Sequence, residues 1–575
     1  EVSRGDIPTW LREHIEKQAL GPSGNNSDHS GRILVIYSNE ESRKQTISEM
    51  PSGKAFDRTL HHTISSLMSS LVADFRLPRI MTTEGAFEIV LDEMCRKEAA
   101  NLAFPIINPL PDMPWGRSKT TALSELHRLL SRESISDSWD GPGISSFRKI
   151  IKKIENRLGG SHPDMIIPRL IEGLRGENKP FTLLDVDGII MLDHPPGTPR
   201  SYHNLLLAVS KHCPIHQLTY PGNFRIGHHG ILLLDKYPIK TKEELPSWVP
   251  PHHPEASVAN NSSKVIRLEC EDDFFNAAID IANDRLEENN SSKIIIVDPA
   301  LNSNLPRWER ELKSLGTKIT NSSTMISSLP IGNWLSKLAN LAHGTEAFSL
   351  QSIRSISLQS TLSIFPDPKN HPSEDKIRPH PDSDILTQIA RNEHVLGGYG
   401  AFSKWLEVLS KPPIQERDGI AKESTQWWVL CVADSLRPLL TDEDIKALEN
   451  ASRTGCYTGK RLPHVEAKET GDEWLFSVLE LFDSEARMEL CDSFGLTPAA
   501  VVQAVYGGIM TLRSMQNRAG ISQSVSGPKW VEEFTTLIRK SSIQRNFYRQ
   551  SGSIRVLSPK QALGCTAQTI ILANL

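Results

Sequence analysis

The sequence predicts an α/β protein in which two sheet-forming halves are each interrupted by a helical insertion. Short apolar runs bounded by turn residues, which are typical of buried strands, occur in two separate groups along the 575 residues. Helical periodicity fills the chain between the members of each group. A stretch rich in Pro, Ser and Asn at 237–263 separates the two groups and is the best linker in the sequence.

The first half opens with a helical pattern at 7–19. A second helix is predicted over 56–75, with an apolar stripe formed by Leu60, Ile64, Leu67, Leu71 and Phe75. Residues 84–180 are mostly helical in pattern. The strands predicted for this half are 32–38, 182–192 and 214–220.

The second half repeats this plan after the linker. Helices are predicted at 271–288 and at 305–316, the latter closed by a glycine, and 331–540 is again helical in pattern. The strands predicted for this half are 265–270, 293–298, 554–557 and 569–573. Because strand patterns return only after each helical insertion, we expect each group of strands to form one mostly parallel sheet.

Composition excludes several classes of protein. The net charge of −5 provides no overall basic field, so any nucleic-acid surface must be local. No apolar run is long enough to cross a bilayer, and no signal peptide is visible. The seven cysteines are scattered without a CxxC pair, which favours reduced thiols and a cytoplasmic location. The first residue is Glu and the last residues resemble a strand, so we expect a fragment with sequence missing at both ends.

Five local strings follow one another along the chain: RILVIYSNEESRKQTISEM, IIMLDHPPGTP, YPGNFRIGHHG, KIIIVDPALNSNLPRWERELKSLG and IRVLSPKQALGCTAQTIILANL. In this order they resemble motifs of superfamily 1 helicases of the UvrD and RecB type. In these helicases the first string lies where single-stranded DNA is contacted, the second carries Asp-Glu, and the last matches T-x-H-x-A-K-G-L-E-F. The resemblance implies two RecA-like, P-loop NTPase-like domains, each with a helical insertion.

On this resemblance the chain divides into seven segments. They are the first RecA-like domain at 1–80 and 181–240, its helical insertion at 81–180, the linker at 241–263, the second RecA-like domain at 264–330 and 546–575, and its insertion at 331–545.

The nucleotide site that the resemblance implies is degenerate. ATP hydrolysis needs a Gly-rich loop with Lys, and no GxxxxGK[ST] occurs in the sequence. The topological position near Gly5 and Thr9 has no lysine, and GRSKTT at 116–121 follows no strand. Asp193 retains a carboxylate that could reach a metal, but His194 stands where the family has the catalytic glutamate.

Further departures occur in the second half. Asp298 stands where active relatives have an arginine, and in the closing motif Gly564 persists while Leu563 replaces Lys and Thr566 replaces Glu. These losses resemble the inactivated helicase folds of AddB and RecC, which accompany an active motor in helicase–nucleases. That resemblance implies an ATPase-inactive, DNA-binding protein of double-strand-break processing, with an AddA- or RecB-like partner. AddB-type proteins also carry a PD-(D/E)XK nuclease domain, which would need Mg²⁺, after the part seen here; no cofactor is expected in this chain itself.

Two basic segments are candidates for binding single-stranded DNA. In 536–560, cations surround two aromatic residues, a combination that suits phosphates and stacked bases. The residues concerned are Arg539, Lys540, Arg545, Phe547, Tyr548, Arg549, Arg555 and Lys560. The second segment, 145–160, is a basic amphipathic helix with Lys149, Lys152 and Lys153 on its outer side, although a solvated face is the simpler interpretation.

Other motifs carry less weight. Glu466 and Lys468 have nuclease spacing but lack a preceding apolar strand with an Asp. The histidine pairs 61/62, 228/229 and 252/253 lack ligand spacing, so no metal site is predicted, and Trp427 and Trp428 are expected in a core.

Two alternatives remain open. A diverged but active superfamily 1 helicase would have its phosphate loop upstream of Glu1. The other is a non-catalytic α/β scaffold or a nucleotide-sugar transferase-like protein, which a structure with 182–192 and 293–298 in different kinds of sheet would favour.

Overall fold

A computed structural model of the chain describes most of its elements. The described residues are 9–18, 32–49, 57–80, 84–135, 139, 141–192, 199–218, 265–268, 273–289, 293–314, 323–357, 383–411, 419–453, 470–482, 498–544 and 554–574. The linker, the histidine pairs at 228/229 and 252/253, and the pair Glu466 and Lys468 lie outside these residues.

The protein is α/β, with many helices and two small parallel sheets. The first sheet has the order β2-β1-β3-β4, and every neighbouring pair is parallel. Its strands are β1 (Ile33–Tyr37), β2 (His61–Thr63), β3 (Gly188–Leu192) and β4 (Ile215–Leu218). The prediction that 32–38, 182–192 and 214–220 share one parallel sheet is confirmed at 33–37, 188–192 and 215–218. The first part of the predicted strand 182–192 is wrong, because Phe181–Leu183 is a 3₁₀ turn and β3 begins only at Gly188.

Both faces of this sheet are covered, which explains why its strands are continuous apolar runs. Alternate residues of β1 point to opposite faces. Leu34 and Ile36 join a large core that includes helices α3 (Ile64–Asp74) and α7 (Ile166–Gly173). Ile33, Val35 and Tyr37 join a second core with Leu11 and Ile15 of helix α1 (Thr9–Gln18).

The helix predicted over 56–75 is wrong in its first part. Residues 61–63 form strand β2, and α3 begins only at Ile64. Thr63 caps α3 because its hydroxyl accepts from the Ser66 amide while the Ser66 hydroxyl accepts from the Thr63 amide. Edge pairing with β1 thus overrides the helical periodicity before the cap.

The helical pattern predicted over 84–180 is confirmed by α4 (Glu84–Ala100), α5 (Arg117–Arg132) and α6 (Ile144–Leu158). Two further helices before the linker, α2 (Glu40–Glu49) and α8 (Arg200–Val209), were not predicted.

The second sheet has the order β8-β5-β9 and is also parallel. Its strands are β5 (Ile294–Val297), β8 (Ile554–Leu557) and β9 (Thr569–Leu572). Helices α9 (Phe274–Glu288) and α10 (Leu301–Ser314) share its core. The strands within 182–192 and 293–298 both lie in parallel sheets. The two segments are therefore not in different kinds of sheet, which is the arrangement that would have favoured the transferase-like alternative.

The predicted strand at 265–270 is not observed in its described part. Residues 265–268 form no strand, and Val265 is 94% exposed. A strand needs a partner, and 265–268 pairs with none of the described strands. An apolar run shows that a segment could form a strand, but it does not show which other strand the segment would pair with.

The long stretch between β5 and β8 is mainly helical, as predicted. Its helices after α10 are α11 (Pro330–Ala342), α12 (Leu350–Ser357), α13 (Ser383–Asn392), α14 (Ala401–Ser410), α15 (Gly419–Ser435), α16 (Asp442–Arg453), α17 (Gly471–Phe482), α18 (Pro498–Ala519) and α19 (Gly527–Lys540). A short antiparallel pair, β6 (Ser323–Met325) with β7 (Ser542–Gln544), was not predicted. Trp427 and Trp428 are buried in α15, as expected.

The chain divides into two compact units. The sheet unit comprises 1–81, 95–320 and 550–575 and contains both parallel sheets. The helical unit comprises 82–94 and 321–549. None of the helices in the described part combines the length and the apolar character needed to span a bilayer.

The two histidines of β2 are structural. His61 and His62 are buried, and the hydroxyl of Tyr37 lies 2.9 Å from Nδ1 of His61. Burial, together with the positive charge of Arg43, lowers the pKa of His61 to about 4. His61 is therefore neutral in the folded chain at neutral pH.

We expect His61→Gln to reduce the acid sensitivity of folding. Unfolded histidine titrates near pH ~6.5, so the unfolded chain binds more protons at this site between that pH and the folded pKa of about 4. Stability from the neutral imidazole is present above pH ~6.5 and is lost as the pH falls toward the folded pKa. This one residue corresponds to about 2 kcal/mol between pH ~7 and pH ~5. Urea unfolding of both proteins at the two pH values measures the difference; equal losses would contradict it.

Candidate functional site

The carboxyl ends of parallel strands are where ligands bind in doubly wound sheets, beside the strand at which the order reverses. In the first sheet that position lies between β1 and β3, because β2 and β3 flank β1 on opposite sides. Ser38 directly follows β1, and its hydroxyl donates to the carbonyl of Leu192, the last residue of β3, at 3.2 Å. Asp193 and His194 come next and lie outside the described residues, as does Gly5.

Asn39 has two functions at this edge of the sheet. Its Oδ1 accepts from the amide of Ser42 at 2.8 Å and so caps helix α2. Its Nδ2 donates to the carbonyl of Leu563 at 2.6 Å and to that of Lys560 at 3.0 Å. These carbonyls lie in and after the short helix α20 (Pro559–Ala562), which follows strand β8 of the second sheet. One side chain thus caps a helix beside the first sheet and binds a loop of the second.

Gln45 makes the second connection, further along the same helix. It is buried, and its Nε2 donates to the backbone oxygen of Thr566 at 2.7 Å and to its hydroxyl at 2.9 Å. Its Oε1 accepts from the amide of Thr566 at 3.0 Å and from Arg555 at 2.9 Å. The side-chain amide therefore pairs with the Thr566 backbone much as a neighbouring peptide group would.

Gly564 lies at a close approach of the two segments. Its φ of +71° is a left-handed conformation that favours glycine. A Cβ at this position would lie 3.1 Å from the hydroxyl oxygens of Ser38 and Ser42. Asn39, Gln45 and Gly564, with the groups that they contact, are called the clasp below.

Asp298 has a structural role. It directly follows β5 and is fully buried, and its Oδ1 accepts from the amide of Ala300 at 2.8 Å. Its Oδ2 accepts from Nδ2 of Asn304 at 2.8 Å and from the indole nitrogen of Trp308 at 2.7 Å. The carboxylate holds the start of α10 and its buried tryptophan. An aspartate in place of arginine therefore has a local physical reason here.

The lysine of GRSKTT also has internal partners. Lys119 lies in the first turn of α5, and its Nζ donates to Oδ1 of Asn108 at 2.8 Å and to the carbonyl of Ile107 at 3.3 Å. Thr120 is buried and accepts from the indole of Trp115 at 2.8 Å. The arrangement stabilises the loop before α5 and does not form a phosphate loop.

The basic helix has the predicted amphipathic arrangement in α6. The buried side includes Phe147, Ile150, Ile151, Ile154 and Leu158. Lys149 and Lys152 are exposed, whereas Lys153 pairs with Glu98 at 2.5 Å. The first two lysines are thus available to an anion at the surface.

The other basic segment is described only in part. Arg539 is exposed at the end of α19, and Lys540 pairs with Glu88 at 3.4 Å. Arg545, Phe547, Tyr548 and Arg549 lie outside the described residues. Arg555 belongs to the sheet unit and contributes to the clasp through Gln45, so replacing it would disturb more than a cationic surface.

The sequence analysis missed two sets of residues. The asparagine before a helix is a capping signal, but nothing in the sequence indicates that Asn39 and Gln45 bind a segment 521 residues away. His127, His162 and Asp164 form a cluster that adjacent-pair spacing did not reveal. Sequence comparison provides no further guide: no protein-family model matches the chain, and no curated protein is significantly similar to it.

We expect Gln45→Ala to destabilise the sheet unit by about 1–3 kcal/mol, because it leaves the Thr566 amide and the Arg555 guanidinium without their acceptor. Lys44→Ala, on the same helix, is the matched control. Lys44 is half-exposed and its ammonium pairs with Glu41 at 3.2 Å, so solvent screens the pair from the lysine side and its loss should cost less than about 1 kcal/mol.

Urea unfolding measures both free energies, and hydrogen exchange at the Thr566 amide should accelerate in Gln45→Ala alone. Equal effects of the two substitutions on stability and exchange would show that the clasp contributes no more than a surface ion pair.

Proposed function

We propose that this chain is the helicase-like part of an AddB- or RecC-type protein, which binds single-stranded DNA without hydrolysing ATP. It would act in double-strand-break processing beside an AddA- or RecB-like helicase–nuclease in the cytoplasm. The proposal includes two RecA-like domains, built on the first and the second parallel sheet. A nuclease function would require a further domain with its own Mg²⁺.

The clasp is the observation that carries this proposal. The strings that resemble helicase motifs, 32–50 and 554–575, were identified separately in the sequence, and they contact each other through Asn39, Gln45 and Gly564. Two parallel sheets joined at strand ends is the arrangement that a two-domain motor fold requires. An unrelated α/β protein would give no reason for these particular strings to meet.

The hydrogen bonds of two charged side chains, Lys119 and Asp298, support the expectation that the chain does not hydrolyse ATP. Transfer of a phosphoryl group needs cations and a group that positions the nucleophile. The ammonium of Lys119 is hydrogen-bonded to the loop before α5. The carboxylate of Asp298 is buried and accepts a hydrogen bond from Trp308 of α10. Among the described residues, neither of these two positions offers what the reaction needs.

We therefore expect no DNA-stimulated ATP hydrolysis by the purified chain. Phosphate release would be measured with and without single-stranded DNA, with a known DNA-dependent ATPase as the positive control. Hydrolysis that depends on DNA and disappears in Asp193→Asn would overturn the proposal in favour of the diverged active helicase.

We expect single-stranded DNA to bind through the basic segment that begins at Arg539. Alanine at Arg539, Arg545 and Arg549 should weaken binding and reduce the slope of log K against log salt by about 0.7 for each phosphate that the protein no longer neutralises. Arg555 is left in place because it contributes to the clasp. Fluorescence anisotropy of a labelled oligonucleotide at several salt concentrations gives both quantities.

Two further variants locate the DNA surface. Lys149→Ala with Lys152→Ala tests helix α6, and Lys211→Ala with Lys446→Ala changes the net charge equally at exposed sites just after α8 and on α16, outside every candidate DNA segment. If only the lysine pair on α6 matters, that helix is the DNA surface. If the wild type does not bind, or if all three variants retain its affinity and slope, DNA binding through these segments is wrong.

A further inference from the structure

A group of two histidines and one aspartate lies outside the clasp, within the sheet unit. His127 is on helix α5, and His162 and Asp164 lie in and beside the 3₁₀ turn Pro163–Met165 that follows α6. Nδ1 of His127 is 3.4 Å from Oδ2 of Asp164, and Nδ1 of His162 is 3.6 Å from the same oxygen. The three side chains come from two segments that are separate in sequence and adjacent in space.

These distances suit a shared cation. Zinc-class ions bind imidazole nitrogen and carboxylate oxygen at about 2.0–2.2 Å, and at tetrahedral angles such bonds separate neighbouring ligand atoms by about 3.3–3.5 Å. Both measured separations from the Asp164 oxygen are within a few tenths of an ångström of that value. One potential ligand atom from each of the three residues lies within 4.8 Å of the others.

The surroundings support ligation by neutral imidazole. His127 and His162 are buried, and burial lowers the pKa of His162 to about 4, so its ring is uncharged at neutral pH. Asp164 is half-buried, which leaves a route for an ion and a water molecule. The turn is held in place because Glu155 accepts from the backbone amide of His162 at 2.6 Å and pairs with Arg169 at 3.0 Å.

One existing hydrogen bond opposes metal binding. The amide of Asp164 donates to Nδ1 of His162 at 3.1 Å, and a cation at this nitrogen would displace that bond. The consequence is an affinity below that of a fully preorganised four-ligand site. The same contacts without a metal would form a purely hydrogen-bonded cap, which makes the two interpretations separable by experiment.

We propose that His127, His162 and Asp164 bind one divalent transition-metal ion of the zinc class, with water completing the coordination. Imidazole and carboxylate together favour such an ion over Mg²⁺ or Ca²⁺, which prefer oxygen ligands alone. The ion joins α5 to the turn after α6 and stabilises this helical region. The proposal is independent of DNA binding and of the clasp.

The test uses the full chain, stripped with a chelator and then titrated with Zn²⁺ by calorimetry. Wild type should bind one more equivalent than His162→Ala, and Asp164→Asn should bind at least about tenfold more weakly. Zn²⁺ should raise the melting temperature of wild type but not that of His162→Ala. His212→Ala is the matched control, since His212 is a half-buried histidine of the same unit whose ring bonds the carbonyl of Leu174 at 2.8 Å.

Co²⁺ provides the spectroscopic readout, because tetrahedral nitrogen and oxygen ligation gives visible ligand-field bands without sulfur-to-metal charge transfer. Loss of these bands in His162→Ala and in Asp164→Asn, but not in His212→Ala, is the expected result. Equal stoichiometry in all variants, or a charge-transfer band from cysteine ligands, would overturn the proposal. So would a folded wild type that binds no Zn²⁺.

Discussion

One side-chain amide joins the two sheets of the sheet unit. The side chain of Gln45 makes three hydrogen bonds with Thr566 and one with Arg555, across a sequence separation of more than 500 residues. Each hydrogen bond contributes about 0.5–1.5 kcal/mol net to stability. A buried donor or acceptor left unpaired costs more than one bond contributes, so these bonds stabilise the protein only when all of them are made. The cap at Asn39 and the left-handed Gly564 follow from it, because both allow the two segments to approach closely.

The described polar groups at the strand ends make hydrogen bonds within the protein. In doubly wound sheets the carboxyl ends of the strands usually bind a ligand. Here the hydroxyl of Ser38 binds the carbonyl at the end of β3, and Asp298 is occupied by Ala300, Asn304 and Trp308. Carboxylate and amide groups that could serve a nucleotide instead hold secondary structure together. Among the described residues, this internal use of the polar groups is the physical reason for the proposed inactivation.

The sequence predicted three of the four described strands of the first sheet and all three of the second, because strands buried between two layers are apolar runs. It failed where a neighbour decides the outcome. Residues 265–268 are apolar but have no partner strand, and residues 61–63 carry a helical pattern but pair with β1. The site shows the same limit. The basic side of α6 follows from periodicity, whereas Gln45 with Thr566, and His127 with Asp164, depend on contacts that no local pattern encodes.

The chemistry of the clasp also bears on how such a chain would work. A motor that uses ATP needs two halves whose separation responds to phosphate. The bonds of Asn39 and Gln45 are made by neutral amides, mostly to backbone atoms, so neither phosphate nor salt within the usual range should weaken them strongly. Attraction of lysine and arginine to DNA is ionic and declines steeply with salt. Under the proposed function, the protein would therefore hold its two sheets in a fixed relation while its contacts with DNA form and dissociate, which suits a passive guide for a strand moved by another subunit.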